Sequence, residues 1–584
     1  MAPSTVVHSI FERLEPGAIA GEKNDAEKQF RLITIDKVAM VGKSVAILLS
    51  AILITEVFLL SSCVSDDLEP FSNHIGPEAK TSTADTQQEP TLQKPTDTNN
   101  AAPSEGPLRI GIKEAILLAM ENNRSLVVER MNPQIIRTFE QEKLAVFDPV
   151  LDAKATNGRA ISDQLSLTDA GIESSTVDSA TGLISLSKLF PTGTTVAFEG
   201  STSYTDSSLY SDTLTANRLG LTVTQALLEG LDIAANLARV HQARLDTLIS
   251  EYELRGWTEI LLEEVESNFW DYAVVQRQIE IYTNSLALAE KQMVEVQERI
   301  KLGNLAETEL AAAQAEVALR REDLINARST LAKKHLDLLR LLNPSRSIDW
   351  NRDIILEYDT TPPNVKLDDV SKHVGVALKM RPDLNQARLQ IQQGELEVVK
   401  TKNGLLPKMD AFITFGKTGY AKTFNRSSEN IGGDSYDVAF GLMFQEPLPN
   451  RAARAQHTRA VISRRQLQEA MENLSQLVEV DVRSAYIEIT RAGEQITATA
   501  ATRNFQEEKL RAETEKFRVG KSTSLLVGQA QRDFVASQIA EIEALANYLK
   551  ALVSLYRLEG SLLERRGIVS PSSEPVKLSD IPVH

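Results

Sequence analysis

The hydrophobic positions of this chain change their spacing several times, and each change predicts a different kind of element. Every second residue is apolar over residues 436–444, and the same alternation occurs over residues 219–224. A period of two predicts a strand with one apolar face. Further strands are expected near residues 150–157 and 410–416. The alternation fits a membrane-crossing strand, and it fits a half-buried soluble sheet equally well.

After each strand region the hydrophobic spacing becomes helical. Over residues 268–300 the apolar positions recur alternately every four and three residues, which is the heptad spacing of a coiled coil. Residues 234–300 contain no proline and predict a helix of about 100 Å. Gly303 interrupts the pattern, and a second heptad run over residues 310–341 predicts the returning arm of a helical hairpin. Gly520 marks the same turn later in the chain.

The chain contains two repeats, which a gapless self-alignment reveals in two registers. Residues 119–153 match residues 377–411 after a shift of 258 positions, and residues 265–341 match residues 482–558 after a shift of 217 positions. Internal repeats of this kind must be recognised before a fold is assigned. Because the two shifts differ by 41 residues, the first repeat has the longer insertion between its two blocks.

Composition divides the remaining chain into segments. Residues 64–107 are rich in Ser, Thr, Asp, Asn, Gln and Pro and poor in apolar residues, which is typical of a disordered tether. The folded body is expected to begin near Leu108. The predicted domains are a first repeat over residues 108–345, a linker over 346–368, a second repeat over 369–566 and a tail over 567–584.

The single cysteine of the chain, Cys63, closes an apolar run. That run covers residues 44–62 and follows Lys43, so it has the basic flank and apolar core of a secretory signal. Its end, Leu60-Ser61-Ser62-Cys63, resembles a bacterial lipobox. The resemblance implies cleavage before Cys63 and attachment of lipid chains there. An uncleaved membrane helix is the alternative, because about 19 apolar residues can span a bilayer.

Residues 1–62 are therefore interpreted as an N-terminal extension and a lipoprotein signal peptide, and residues 63–107 as a lipidated tether. Residues 1–36 are polar, so either Met1 or Met40 is the start. Val64 stands where an Asp commonly marks retention at the inner membrane, so the lipobox resemblance points to the outer membrane.

Charge and motifs exclude several classes of function. The formal net charge of -17 argues against a nucleic-acid binder, because binding to phosphates requires Lys and Arg on the protein. Solvated helix faces explain the acidity more simply. With one Cys, intrachain disulfides and Cys-rich metal sites are excluded. The chain has none of the common catalytic motifs and its seven His are scattered, so we predict no enzyme, no cofactor and no metal site.

The order of elements resembles the TolC-like family of outer membrane efflux proteins from about residue 108 to residue 566. Each repeat contains a helix, a strand hairpin and a long helical hairpin, with an Ala-Gln pair about ten residues after the turn. The turns are Leu302-Gly303 and Val519-Gly520, and further family-like pieces are Phe147-Asp148-Pro149, Arg381-Pro382-Asp383-Leu384 and Glu446-Pro447-Leu448.

This resemblance implies a mainly α protein with a membrane β-barrel. Three copies would share one barrel in the bacterial outer membrane, and their helices would form a tunnel across the periplasm. The implied function is a passive conduit in a tripartite efflux or type I secretion system. An inner-membrane pump would drive it through a periplasmic adaptor that docks on the helical hairpin tips.

The strand count supports oligomerisation independently of the resemblance. Four strands per chain cannot close, because the smallest membrane barrels need about eight strands and lipid does not tolerate an open edge. Three copies would supply twelve. Residues 154–218 depart from this pattern, since residues 183–187 and 195–198 look like extra strand material around Pro191-Thr192-Gly193. This segment leaves the strand count open, and a longer extracellular excursion is one possible form.

The candidate functional residues lie at the hairpin turns. The resemblance implies that the adaptor contacts Leu302, Gly303, Asn304, Leu305, Val519, Gly520, Lys521 and Ser522. Each Gly is alternatively only a left-handed turn residue between two helices. Glu309 stands where the family often has an acidic residue at a periplasmic gate, and a trimer would make it a ring of carboxylates. A solvated Glu on an outer face is the alternative.

One rival function belongs to another class, a lipid-anchored periplasmic coiled-coil scaffold without a pore. Such a scaffold has no need for paired strands before each long hairpin, so the strands discriminate the two hypotheses. The cargo, which could be drugs, metals or polypeptide, cannot be read from the chain because the pump mainly selects it.

Overall fold

The computed structural model describes residues 106–165, 172–208, 211–342, 350–358, 367–569 and 574–576. All of them belong to one compact unit, residues 100–584. The predicted signal segment, Cys63 and nearly all of the predicted tether lie outside the described residues.

Six of the eight strands in the described part form one antiparallel sheet, in the order β2-β3-β4-β5-β7-β8, and β1 and β6 form a separate parallel pair. The strands are β1 Leu108–Ile110, β2 Val150–Leu165, β3 Ile172–Leu189, β4 Thr194–Ser207, β5 Leu214–Ala226, β6 Ile354–Leu356, β7 Lys408–Ala421 and β8 Tyr436–Gln445.

The expectation of four sheet strands per chain is wrong, because the first repeat contributes four strands and the second repeat two. The predicted strands near residues 150–157, 219–224, 410–416 and 436–444 are present as β2, β5, β7 and β8. The extra strand material forms β3 and β4, which pair with each other and with β2 and β5. The described residues between 154 and 218 therefore enlarge the sheet rather than forming only an extracellular excursion.

The two faces of this sheet differ in polarity, as the alternating sequence predicts. On one face a single row of directly paired residues is apolar across all six strands. The opposite face carries mostly Ser, Thr and charged side chains. We call these the apolar face and the polar face; the apolar row is Leu151, Leu186, Phe198, Leu221, Phe415 and Val438.

Long helices make up most of the remaining chain. Their bounds are α1 Ile112–Asn122, α2 Arg124–Glu129, α3 Asn132–Leu144, α4 Ile233–Lys301, α5 Thr308–Leu342, α6 Val370–Met380, α7 Pro382–Asn403, α8 Phe424–Glu429, α9 Arg451–Arg518, α10 Ser524–Leu558 and α11 Leu562–Arg565. The two predicted helical hairpins are thus present as α4 with α5 and α9 with α10. Among the described helices, none combines the length and the apolar character that crossing a membrane requires.

The apolar core lies between the helical hairpins and the short helices α1, α6 and α11. One cluster joins Leu262 of α4 to Val482 of α9 and Leu555 of α10. A second cluster packs Phe269 of α4 against Leu338 of α5. Leu338 belongs to the heptad run that predicts α5, and Leu555 is its counterpart in the second repeat, so this spacing also identifies the buried face of α5 and α10.

Two segments outside the predicted repeats also belong to the folded body. Strand β6 lies within the predicted linker, residues 346–368, and pairs in parallel with β1. In the predicted tail, the backbone N–H of Val576 donates to Asn385 Oδ1 at 3.0 Å. The linker and the tail therefore contribute contacts to the repeats.

Candidate functional site

The first hairpin tip is a turn that only glycine fits easily. Helix α4 ends with Leu302 at the C-cap, and Gly303 follows with φ +74°. The N–H of Asn304 donates to the carbonyl of Arg299 at 2.9 Å, and the N–H of Gly303 donates to the carbonyl of Ile300 at 2.9 Å. These two bonds form a Schellman motif, which satisfies the last carbonyls of the helix. Leu302 is 74% exposed, so the tip presents an apolar side chain to solvent.

The second hairpin tip has the same construction. Val519 is the C-cap of α9, and Gly520 follows with φ +76°. The N–H of Lys521 donates to the carbonyl of Lys516 at 2.8 Å, which again closes a Schellman motif. Ser522 Oγ donates to Glu513 Oε2 at 2.9 Å. Both predicted turns therefore exist, and both leave an apolar C-cap residue exposed, Val519 at 63%.

The two tips are held side by side within one chain. Val296 and Ala313 of the first hairpin pack with Phe517 and Val527 of the second. The guanidinium of Arg299 lies over the Phe517 ring, 5.1 Å from its centroid, and donates to the Phe517 carbonyl at 3.2 Å. The structure thus brings the two turns that contain the eight predicted docking residues next to each other.

Glu309 also connects the two tips. Its Oε2 accepts from the N–H of Ser524 at 3.2 Å and from the Ser524 hydroxyl. Ser524 is the first residue of α10, where free N–H groups and the helix dipole favour a carboxylate. Glu309 is half-buried and engaged inside its own chain. Its predicted role in a gate stays a prediction.

A buried ion-pair network lies behind the tips. Glu316 accepts from Arg320 of its own helix at 2.6 Å and from Arg532 of α10 at 2.5 Å. Arg320 is 3% exposed and also contacts Asp323 at 3.3 Å. Removing one member would leave a buried charge without its partner, which is costly. The network therefore ties the two hairpins in one arrangement.

A charged pair bridges three strands on the polar face of the sheet. Arg218 of β5 reaches Asp437 of β8 at 2.8 Å. Its guanidinium passes over Gly416 of β7, where an added Cβ would lie 2.4 Å from Arg218 Nη2. Gly416 thus leaves room for a contact between strands that are not neighbours.

Sequence reasoning missed a set of buried charges where the helical hairpins meet α11. Arg566 contacts Glu266, which is fully buried, through both carboxylate oxygens, and the first of these bonds is 2.7 Å long. Buried Arg255 donates to the carbonyl of Gly560 at 2.8 Å and to Glu564 at 2.6 Å. Single charged residues inside heptad runs do not identify such partners, because the partners lie hundreds of residues away.

Burial shifts the protonation of these acids. It raises the pKa of Glu259 to about 8, although Arg255 opposes the shift. Burial also raises the pKa of Glu266, with the Arg566 hydrogen bond opposing it. For Asp271, hydrogen bonds from Lys334 and Lys550 outweigh the raising effect of burial and leave the pKa below its usual value. Helix α4 therefore carries carboxyl groups, those of Glu259, Glu266 and Asp271, whose pKa values are shifted in different directions.

A second buried pair lies beside α11. His373 Nδ1 contacts Glu559 Oε2 at 2.5 Å, and Glu559 is also bonded to Arg565 at 2.9 Å. No group of three or more His, Cys, Asp or Glu that could hold a metal occurs in the described segments of the chain. These charges are arranged as structural pairs between helices.

A protein-family model described as "Outer membrane efflux protein" matches residues 177–344 and 374–561. No curated protein sequence matches the chain. The solved structure of CusC is similar at 17% identity with a TM-score of 0.58, and the match covers 77% of this chain and 92% of CusC. The description of that structure concerns folding and transmembrane channel formation. The Campylobacter jejuni outer membrane channel CmeC is similar at 13% identity and TM-score 0.57, covering 77% and 86%. The outer membrane protein VceC of Vibrio cholerae is similar at 14% identity with a TM-score of 0.56, and the match covers 77% of this chain and 96% of VceC.

Proposed function

Because this chain belongs to the outer membrane efflux protein family, we propose that it is the outer-membrane duct of a tripartite efflux or type I secretion system. The family consists of outer membrane channels rather than enzymes, so the driving energy comes from outside the duct. In this proposal an inner-membrane pump supplies it. A periplasmic adaptor links that pump to the hairpin tips.

One observation carries the proposal: a sheet with an apolar row that crosses all six strands on one face is joined to two helical hairpins whose tips pack together. The apolar face suits contact with lipid. The hairpins, at about 100 Å for the longer arms, suit the crossing of an aqueous compartment. A coiled-coil scaffold without a pore would need the hairpins and would have no use for the sheet.

The surface of the chain favours assembly with further copies of itself. Strands β2 and β8 are the two edges of the sheet, and an open edge is not tolerated in lipid. Apolar side chains on α9 are exposed, among them Ile462 at 63% and Ile487 at 68%. Ile325 of α5 is 61% exposed. We therefore propose a homotrimer in which β8 of one copy pairs with β2 of the next and the exposed helix faces meet.

The tips are the proposed adaptor site. Leu302 and Val519 are exposed apolar residues at matching positions of two turns with the same geometry. An adaptor with two equivalent apolar sockets would recognise both. Glu309, beside these turns, is proposed to face the periplasmic entrance of the trimer, where three carboxylates would favour cations. Its contact with Ser524 would then have to break for it to face the lumen.

The N-terminus is proposed to anchor the chain to outer membrane lipid through acylated Cys63. The support is the apolar run and the lipobox-like end of the sequence. Mass spectrometry of the mature N-terminus should give a chain that begins at Cys63 and carries acyl chains. An unmodified Cys63 within a retained segment would contradict this anchor.

The docking proposal is tested by changing the backbone and the charge of a tip separately. Gly303→Val and Gly520→Val place a β-branched residue at positive φ, which costs about 1–3 kcal/mol locally. Lys521→Glu changes the charge and leaves the backbone alone. Export, adaptor crosslinking and trimer yield are measured in the same cells.

We expect both valine variants to lose export and crosslinking with the trimer intact. Since neither glycine has a neighbouring atom within 4 Å of an added Cβ, the effect would come from the turn and not from a clash. Full export and full crosslinking in all three variants would show that the tips are only turns.

A further inference from the structure

Strands β3 and β4 have no counterpart in the second repeat, where the next strand after β7 is β8 and only short helices lie between them. We infer that this hairpin is part of the membrane wall, so that each copy contributes six strands and the closed trimer has eighteen. The inference rests on the proposed trimeric duct. It concerns the composition and width of that duct.

The hairpin continues the pattern of the strands on either side. Leu186 of β3 and Phe198 of β4 occupy the apolar row and are 47% and 52% exposed. Their sequence neighbours Ser187 and Ala197 point to the polar face, as does Glu199. A hairpin lying in water outside the membrane would have no reason to keep an exposed apolar side chain in register with Leu221 of β5.

The turn of the hairpin is fastened to the start of α4. Asn236 Nδ2 donates to the carbonyl of Pro191 at 2.7 Å and to that of Gly230 at 2.6 Å. Gly193 has φ +76°, and an added Cβ would lie 2.1 Å from the Gly230 carbonyl oxygen. The close approach requires glycine at this position.

The neighbouring strand holds the same turn. Gln225 Nε2 donates to the carbonyl of Thr192 at 3.0 Å, and the Thr194 hydroxyl donates to Gln225 Oε1 at 2.5 Å. Gln225 and Thr194 are 6% and 2% exposed. These buried polar bonds fix the turn on the side of the sheet where the helices begin, so the hairpin spans the whole sheet height.

The two added strands also bring the circumference of the proposed barrel closer to the circumference of the helical tunnel. Next to the sheet each copy has four helical arms, because α3 and α7 end just before β2 and β7, and α4 and α9 begin just after β5 and β8. Twelve arms spaced by about 9 Å give a tunnel circumference of about 110 Å. With strands about 4.8 Å apart and tilted by about 40°, a barrel of eighteen strands has a circumference of about 110 Å, and a barrel of twelve strands has one of about 75 Å. Eighteen strands thus continue the tunnel without a narrowing at the membrane.

Spin labels in the full-length trimer in lipid bilayers test this arrangement. Phe198→Cys and Ala197→Cys place labels on the two faces of β4, and Leu221→Cys and Thr222→Cys do the same on β5, which belongs to the wall with or without the hairpin. Leu186→Cys and Ser187→Cys on β3 are a second pair, in case one variant folds poorly. The unsubstituted chain gives the background labelling.

Collision of each label with oxygen, which concentrates in lipid, is compared with its collision with a water-soluble nickel chelate. We expect the oxygen-to-nickel ratio to be several-fold higher at 186, 198 and 221 than at 187, 197 and 222. Alternation on β5 with water accessibility at all β3 and β4 positions would overturn the inference and leave the duct standing. If β5 does not alternate either, the membrane wall itself is absent and both proposals fail.

Discussion

The two repeats agree closely in their helices and differ in their strands. Helices α4 and α9 have 69 and 68 residues, and α5 and α10 have 35 each. The first repeat, however, carries four strands of the sheet and the second only two. Both hairpin tips must reach the same depth to pack on each other, which constrains the helix lengths. Strands can be added in pairs, because a hairpin returns the chain to the side where it began.

The largest effect is expected from lengthening one helical hairpin alone. Inserting seven residues into α4 and seven into α5 keeps the heptad register and moves the first tip by about 10 Å. The contacts between Arg299 and Phe517 and between Glu309 and Ser524 would be lost. We expect no export from this variant. Crosslinking between Glu309→Cys and Ser524→Cys reports the tip contact.

The matched control inserts the same residues into α9 and α10 as well. Tip crosslinking should then return, because the two hairpins are again equal in length. Normal crosslinking with only one hairpin lengthened would show that equal arm length is not what aligns the tips.

The second effect concerns the strands in which the repeats differ. Deleting residues 172–207 removes β3 and β4 and leaves a twelve-residue connection between β2 and β5. We expect the trimer to persist with a wall of twelve strands, and single-channel conductance to fall by about half as the barrel narrows. Native mass spectrometry confirms the trimer. An intact trimer with unchanged conductance would mean that the hairpin does not widen the pore.

A third, smaller effect is a difference in stability between substitutions that affect matching positions of the two repeats. The shift of 217 places Glu266 on Arg483. Glu266 is buried and held by Arg566, whereas Arg483 is 51% exposed and pairs with Glu479 of its own helix. Arg566→Ala should lower the free energy of unfolding by about 3 kcal/mol, because it leaves a buried carboxylate unpaired. Arg483→Ala should lower it by under about 1 kcal/mol.

Thermal or denaturant unfolding of the two variants, followed by circular dichroism, measures this difference. Glu266→Gln together with Arg566→Ala should recover part of the loss, because the unpaired charge is gone. Equal losses for Arg566→Ala and Arg483→Ala would contradict the asymmetry.

The smallest effect is a pH dependence in the first repeat. Glu259 is 2% exposed, and its pKa is raised by burial from 4.5 to about 8. The folded chain therefore binds a proton that the unfolded chain has released between these pH values, so stability falls as pH rises through this window. Glu259→Gln should flatten that fall.

The second repeat offers a comparison, since the same shift places Glu259 on Gln476, an exposed amide. Gln476→Glu should leave the pH profile of unfolding unchanged. Unfolding midpoints between pH 5 and pH 8.5 measure both variants. Parallel pH profiles for Glu259→Gln and the unsubstituted chain would mean that Glu259 does not titrate in this window.

Much of the fold follows from the sequence, because periodicity is a local property. The heptads predict the first helical hairpin nearly to its ends, the self-alignment predicts the second hairpin, and Gly303 and Gly520 mark the two turns. The alternation predicts four of the six sheet strands. Strands β3 and β4 are harder to assign, since Gly, Ser and Thr on both faces weaken the alternation between residues 172 and 207.

The contacts that join distant parts of the chain could not be predicted. Glu309 caps the first turn of α10 from 215 residues away, and Arg566 reaches Glu266 across 300 residues. One sequence shows the charge of each residue and gives no sign of its partner. The role of the tips in docking and of Glu309 in a gate therefore stays a prediction, and so does acylation of Cys63.

The most direct test of the duct is the number of copies that assemble in a membrane-like medium. Native mass spectrometry of the full-length protein released from detergent micelles measures it. The account predicts the mass of three copies, because one six-stranded sheet leaves both of its edges open. A single copy that stays folded in buffer without detergent or lipid would contradict a membrane wall and would favour the pore-less scaffold.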